Sequence, residues 1–185
     1  MKLTIPHFKN PFKFSYKGRE NLISEKNNNK NINTINNMEE YNSKIKWEDT
    51  VEFKFPIKGG NVIKVYDGDT ITIASKLPYD SSPLYRLSVR LNGIDTPEIK
   101  GKGISEEEKQ VAIMARDFVS NLILNKFVRL ENIETEKYGR ILADVYINDI
   151  HINQLLIKER YAVKYDGGTK IKPVSWLKYR MTGEL

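Results

Sequence analysis

Three observations predict a mainly β, α+β fold built on a small closed five-stranded barrel with three helices. Short runs of strand character recur at Val62–Tyr66, Thr70–Ala74, Tyr85–Ile94, Phe127–Glu131 and Arg140–Ile147. One long helical pattern lies between the third and fourth runs. The first two runs meet across Asp67-Gly68, a two-residue hairpin signal that sets consecutive strands antiparallel.

The elements follow in order. Val51-Glu52-Phe53-Lys54-Phe55 alternates like a strand, which Pro56 and Gly59-Gly60 are expected to end. In the third run Leu87, Val89 and Leu91 share one face. Ser105 followed by Glu108 predicts a capping box, opening a helix that runs to about Leu124. Its Val111, Ala115, Phe118 and Leu122 form a stripe at helical spacing, most simply read as core. Asn153–Arg160 reads as a second helix and Trp176–Met181 as a third. Five strands with a helix between the third and fourth suggest a barrel of oligonucleotide-binding (OB) type.

The 185 residues suffice for one domain with a real core and some excess. No apolar run approaches the roughly 20 residues of a membrane-spanning helix. The N-terminal segment is broken by Pro6 and does not read as a signal peptide. The expectation is a cytoplasmic monomer with no membrane span. The absence of cysteine excludes disulfides, thiolate metal sites and a cysteine nucleophile. The net charge of +6 is compatible with a polyanionic partner. Its distribution carries little: nine Lys/Arg against six Asp/Glu in residues 1–49 leave +3, and 21 against 18 in the remainder leave the other +3.

Residues 1–46 differ in texture from residues 47–185. Asn27–Asn37 contains seven asparagines and lacks the apolar periodicity that offsets ordering entropy, so 1–46 is expected to be a disordered Asn/Lys-rich tail. Ahead of it, Phe8, Phe12, Phe14 and Tyr16 alternate with Lys9, Lys13, Lys17 and Arg19, a basic-aromatic pattern able to dock on nucleic acid, membrane or a partner.

Chemistry concentrates in a few short strings. Asp69 and Asp95 fall at the ends of neighbouring strands, where a barrel can bring both carboxylates to one ion. Pro97 keeps Thr96 extended and thereby fixes the direction of the Thr96 carbonyl, a plausible third oxygen ligand. Such an all-oxygen set suits Ca²⁺ or Mg²⁺. Taken singly, Asp67 and Asp69 also read as turn residues, and Asp95 as a strand-end cap. His7 and His151 read as a tail residue and a packed or helix-end residue.

In combination, Tyr66-Asp67-Gly68-Asp69-Thr70, Arg90-Leu91-Asn92-Gly93-Ile94-Asp95-Thr96-Pro97-Glu98 and Lys137-Tyr138-Gly139-Arg140 resemble the staphylococcal nuclease (thermonuclease) family over roughly residues 50–170. Asn153 and Ala162, around the second helix, add to the match. The resemblance implies a five-stranded barrel with three helices and Ca²⁺-dependent hydrolysis of DNA and RNA. It implies metal ligation by Asp69, Asp95 and the Thr96 carbonyl, with Asp67 beside the metal. Glu98 would be the general base, and Arg90 and Arg140 the grip on the scissile phosphate. Lys137 and Tyr138 would contact a neighbouring phosphate. Three positions depart or align poorly. The Ser75–Leu84 connection, with Pro78 and Pro83, is longer than the family's usual hairpin and reads as a surface loop. Tyr161 and Tyr165 both compete for the base pocket. Lys100 and Lys102 can either meet phosphates or remain solvated.

The alternative is a catalytically inactive OB-fold module binding nucleic acid or peptide, and beyond that a barrel used only for structure. The full acidic set and both arginines are present, which favours the metal-dependent phosphodiesterase.

Overall fold

The computed structural model describes residues 45–136 and 138–185. The Asn-rich and basic-aromatic segments, with His7, and Lys137 lie outside the described residues. The chain divides into two units, Met1–Val51 and Glu52–Leu185. Within the first, the described residues form a 3-10 turn at Trp47–Asp49, in which the Lys46 N–H donates to Asp49 Oδ2 (2.9 Å).

The second unit is the barrel. Its strands are β1 (Gly59–Val65), β2 (Thr70–Ser75), β3 (Tyr85–Leu91), β4 (Ile94–Asp95), β5 (Phe127–Thr135), β6 (Ile141–Ile147), β7 (Ile150–His151) and β8 (Val163–Lys164). The helices are α1 (Glu106–Ile123), α2 (Ile152–Lys158) and α3 (Trp176–Thr182). The sheet runs β3-β2-β1-β5-β6, and a parallel β3–β6 pairing closes it into a five-stranded barrel. Short β4 and β8 pair beside it.

Alternation fills the interior. Val62, Ile71, Ile73, Val89, Leu91, Val128, Ile141, Ala143 and Val145 are fully buried or nearly so, and α1 plugs one side with Ala115, Val119 and Ile123. At roughly 1.5–3 kcal/mol per buried aliphatic side chain, this interior is the main source of stability. The buried face of α1 runs through Val111, Ala112, Ala115, Val119 and Ile123, with Phe118 and Leu122 only half-buried on its flank. A second cluster of Val111, Val163, Trp176 and Tyr179 docks α3 against α1.

Two local expectations are corrected. Residues 52–58 form no strand, although Phe55 and Ile57 do turn inward. β1 pairs with only Phe127–Arg129 of β5. The segment meets the rest of that strand through isolated bonds, from the Leu130 N–H to the Lys58 carbonyl (2.8 Å) and from Thr135 Oγ1 to the Phe53 carbonyl (3.4 Å), and not through a ladder. Gly59 and Gly60 open β1 and do not end a strand. A Cβ on Gly59 would lie 2.1 Å from the Val128 carbonyl oxygen, and one on Gly60 would lie 2.6 Å from that of Ala74. The capping box is realised by half: the Glu108 N–H donates to Ser105 Oγ (3.0 Å), while the Glu108 carboxylate turns to Glu98.

The Ser75–Leu84 connection folds on itself as a loop. Buried Ser82 accepts from the Leu77 N–H (2.8 Å), and the Tyr79 and Tyr85 hydroxyls meet at 2.5 Å.

Candidate active site

Turn chemistry builds the site first. At the β1–β2 hairpin the Tyr66 N–H donates to the Thr70 carbonyl (2.9 Å), and the Asp67 carboxylate accepts from the Asp69 N–H (3.1 Å). Gly68 permits a close approach, since a Cβ there would lie 2.9 Å from Thr96 Cγ2 and 3.0 Å from Ala115 Cβ. That close approach sets Asp69 beside Thr96, with Asp95 its neighbour in the chain.

Strand register adds the first arginine. Thr70 lies opposite Arg90 in the β2–β3 pairing, so the Arg90 guanidinium reaches back over Asp69. It donates to Asp69 Oδ1 (2.7 Å) and reaches Asp95 Oδ1 (3.3 Å). Asp69, Asp95 and Thr96 are all buried, with 3%, 1% and 3% of their surface exposed. Burial pushes the Asp69 carboxyl up to about 6, with the Arg90 charge offsetting part of the effect, and it raises Asp67 as well. Asp95 Oδ2 is buried without a hydrogen-bond partner, a costly condition for a carboxylate oxygen.

The second arginine arrives on the β5–β6 hairpin. Gly139, at φ +78°, lets the chain reverse, with the Glu136 N–H donating to the Arg140 carbonyl (2.9 Å). Arg140 Nε and Nη2 then form a fork onto Glu136 at 2.6 and 2.7 Å. Tyr138, at the turn, is 73% exposed.

These elements border one cleft of about 390 Å³, whose lining includes Asp69, Arg90, Thr96, Glu98, Tyr138 and Arg140. The structure therefore brings together Asp69, Thr96, Glu98, Arg90, Tyr138 and Arg140. Asp95 contacts the lining from behind, through Arg90 and through Lys170 (Nζ to Oδ1, 2.7 Å). Lys100 lines an adjoining cleft with Lys64 and Arg116, sharing the Tyr66, Asp67 and Glu98 wall.

Sequence reading missed three participants. Lys170, on the segment after β8, contacts Asp95 and, at 3.5 Å, Glu98 Oε1. Burial works against its charge, but the bond to Asp95 and the charges of Asp95 and Glu98 outweigh it, and its pKa is raised. Glu136 anchors Arg140, and its four-residue spacing from that arginine was the available signal. Glu108 accepts the Glu98 backbone N–H (3.2 Å) and so holds the stretch that carries the carboxylate.

The two candidate tyrosines occupy different settings. Tyr161 is buried against Phe118 (ring centroids 4.9 Å) and under the Arg180 guanidinium, whereas Tyr165 lines the cleft. His151 occupies the N-cap position of α2 without a side-chain capping bond and stacks on Tyr146, and it does not line the cleft. Asn153 sits inside α2, where it accepts from the Val145 N–H and donates to the Asn92 carbonyl, tying helix to barrel.

Among the described residues, no three or more His, Cys, Asp or Glu side chains converge as a metal cluster. The set that the sequence suggests is smaller, two carboxylates and a carbonyl. Its buried, unpartnered Asp95 Oδ2 and its oxygen-only composition fit a hard cation. No described helix is long and apolar enough to cross a membrane.

Known proteins resemble part of this chain. Residues 88–174, which include Arg90, Asp95, Thr96, Glu98, Arg140 and Lys170, match the family described as "Staphylococcal nuclease homologue". An uncharacterized protein of Bacillus anthracis is 33% identical over 128 residues, covering 68% of this chain and 52% of its own length. Proteins named "Uncharacterized endonuclease" from Escherichia coli and Haemophilus influenzae are 32% and 33% identical over 108 and 104 residues, covering 58% and 56% of this chain. The chain spans 61% and 51% of those two relatives. Residues 88–174 are thus similar to the staphylococcal nuclease homologues, and the barrel with its three helices and the Arg90–Asp95–Glu98 string accord with that similarity.

Proposed function

We propose that this domain is a Ca²⁺-dependent nuclease that hydrolyses phosphodiester bonds of DNA, RNA or both. The observation that carries the reading is the single cleft in which Asp69, Thr96, Glu98, Arg90 and Arg140 meet, with the unpartnered Asp95 oxygen behind its wall. Asp69, Asp95 and the Thr96 carbonyl would hold the cation. When bound, it supplies a lowered pKa for water and charge neutralisation at phosphate.

The chain's own residues do the rest. Glu98, on the stretch fixed by Glu108, accepts a proton at its carboxylate from a water directed at phosphorus, a step typically worth 10²–10⁴-fold. The water oxygen forms the new P–O bond as the bond to the leaving oxygen breaks in line, and that oxygen takes a proton from solvent. Charge accumulating on the equatorial oxygens meets the forked donors of Arg140 and Arg90, which a lysine does not reproduce. Arg140 has to exchange its fork on Glu136 for phosphate, and Glu136 holds it at the rim beforehand. Tyr138 and Tyr165 offer ring faces or hydroxyls to the flanking nucleotide.

Digestion of plasmid DNA and of a structured RNA with Ca²⁺, Mg²⁺ or EDTA tests the reading. Cleavage with Ca²⁺ that EDTA abolishes, and that Glu98→Gln lowers by orders of magnitude without unfolding the protein, is the expected result. Cutting that persists in EDTA would overturn the metal dependence. No cutting with any cation would leave a nucleic-acid or peptide-binding barrel.

A further inference from the structure

Among the described cationic residues that line the cleft, Lys170 is the one to which the hydrolytic mechanism assigns no task. We propose that its ammonium is a tethered counter-cation of the Asp95–Glu98 carboxylate pair, which a divalent cation must displace in order to bind; this rests on the metal-dependent reading above.

Position carries the argument. Lys170 Nζ lies 2.7 Å from Asp95 Oδ1 and 3.5 Å from Glu98 Oε1, bridging an expected metal ligand and the expected base. Lys170 lines the cleft, whereas Asp95, with its side chain 2% exposed, does not. The ammonium therefore stands between the open cleft and the carboxylate. Asp95 needs such a partner, because Arg90 is shared with Asp69 and reaches Asp95 only at 3.3 Å. An ionised carboxylate at this depth is strongly penalised unless its charge is compensated.

The two cationic partners differ in how they are held. Arg90 projects from a central strand with its side chain 14% exposed. Lys170 sits on the link between β8 and α3, where Asp166, Gly167, Gly168, Thr169, Lys170, Ile171 and Lys172 are all exposed. That link is tied down by a Tyr165 hydroxyl bond to the Gly168 carbonyl (3.2 Å) and by Lys172 on Glu108 (3.4 Å), both at its surface. Few buried contacts oppose withdrawal of the Lys170 head. A divalent ion carries twice its charge and takes several oxygens at once, so the exchange favours the ion when it is abundant.

The competition has a thermodynamic signature of opposite signs. Removing the ammonium leaves Asp95 under-compensated in the metal-free protein and lowers its stability. The same change removes a repulsive charge from the cation's path and tightens binding. A lysine that only braces the loop would lower stability without tightening binding. A lysine that only touches phosphate would leave cation affinity unchanged.

The test titrates Ca²⁺ into the full chain by calorimetry, without nucleic acid, for wild type, Lys170→Met and Lys170→Arg. Lys170→Met should bind Ca²⁺ about tenfold or more tightly, given one unit charge removed within a few ångströms. It should melt several degrees lower in EDTA and close to wild type in saturating Ca²⁺. Lys170→Arg, which keeps the charge, should stay near wild type. In the unmodified protein, acetylation of Lys170 read by mass spectrometry should accelerate when Ca²⁺ is added. Unchanged or weaker Ca²⁺ binding in Lys170→Met overturns the proposal while leaving the metal reading intact. Absence of cation binding in wild type and Lys170→Met alike overturns both.

Discussion

The strand-end pocket around Arg90 and the hairpin turn around Arg140 present the same side chain in two different settings. Arg90 is almost enclosed, and its guanidinium already reaches Asp69 and Asp95, buried groups whose charge it offsets together with Lys170. Arg140 stands at the end of a glycine turn with its side chain 31% exposed, and its fork goes to Glu136, a residue of the same turn. Equal candidates for gripping a phosphate are therefore unequal in what else they do. One arginine holds the fold's acidic centre together, and the other is a mounted arm whose loss the barrel can survive.

Truncating each arginine in turn is the most direct way to break that comparison. Arg90→Ala should abolish turnover and also destabilise the protein by about 3–5 kcal/mol, because it leaves the buried Asp69 carboxylate without its cationic partner. Arg140→Ala should cost about 10²–10³-fold in turnover, the scale of one lost charge-stabilising donor. Its stability should change by about 1 kcal/mol or less, since its ion pair is partly exposed. Chemical denaturation beside initial rates measures both. Equal stability losses would show that the two settings are equivalent after all.

The same contrast marks what was legible in the sequence. Asp67-Gly68-Asp69-Thr70 could be read because its turn chemistry is local. Arg90 and Asp95 follow from strand ends a few residues apart. Lys170 was invisible because its partner Asp95 is 75 positions away, across a short β4–β8 pairing that no periodicity announces. Glu136 stands four residues before Arg140, a spacing that ordinarily signals a helix pair and here spans a hairpin turn. The segment at 51–55 alternates well, yet strandhood needs a continuous ladder with a partner, and alternation alone does not show whether one forms. Glu108 was assigned to its own helix cap, and the tertiary fold spends it on the Glu98 backbone instead.

A titration sharpens the pocket side. The Asp69 carboxyl is pushed up to about 6 from an ordinary 3.8 by burial. Because the folded-state value is the higher one, folding favours the protonated acid. The contribution is complete below about pH 4 and is lost as pH rises through 6, on the order of 2–3 kcal/mol. Asp69→Asn removes it. In EDTA, the melting temperature of the variant relative to wild type should therefore climb between pH 4 and pH 7. A flat difference would mean that Arg90 compensates the buried charge fully, and the pocket would then be as relaxed as the turn.

The smallest effect belongs to the turn itself. Gly139 sits at φ +78°, yet a Cβ there would meet nothing within 4 Å. Gly139→Ala therefore tests backbone conformation without steric contact. The left-handed region costs an alanine about 1 kcal/mol, and the change should appear as a small drop in denaturation midpoint. The guanidinium survives, so turnover should fall less than in Arg140→Ala, through a tilt of the Glu136–Arg140 fork. Asparagine tolerates this region better, and Gly139→Asn should recover part of both losses. If Gly139→Ala instead matched Arg140→Ala in turnover, the turn would be setting the geometry of the phosphate grip, and the arm would be as strictly positioned as the buried arginine.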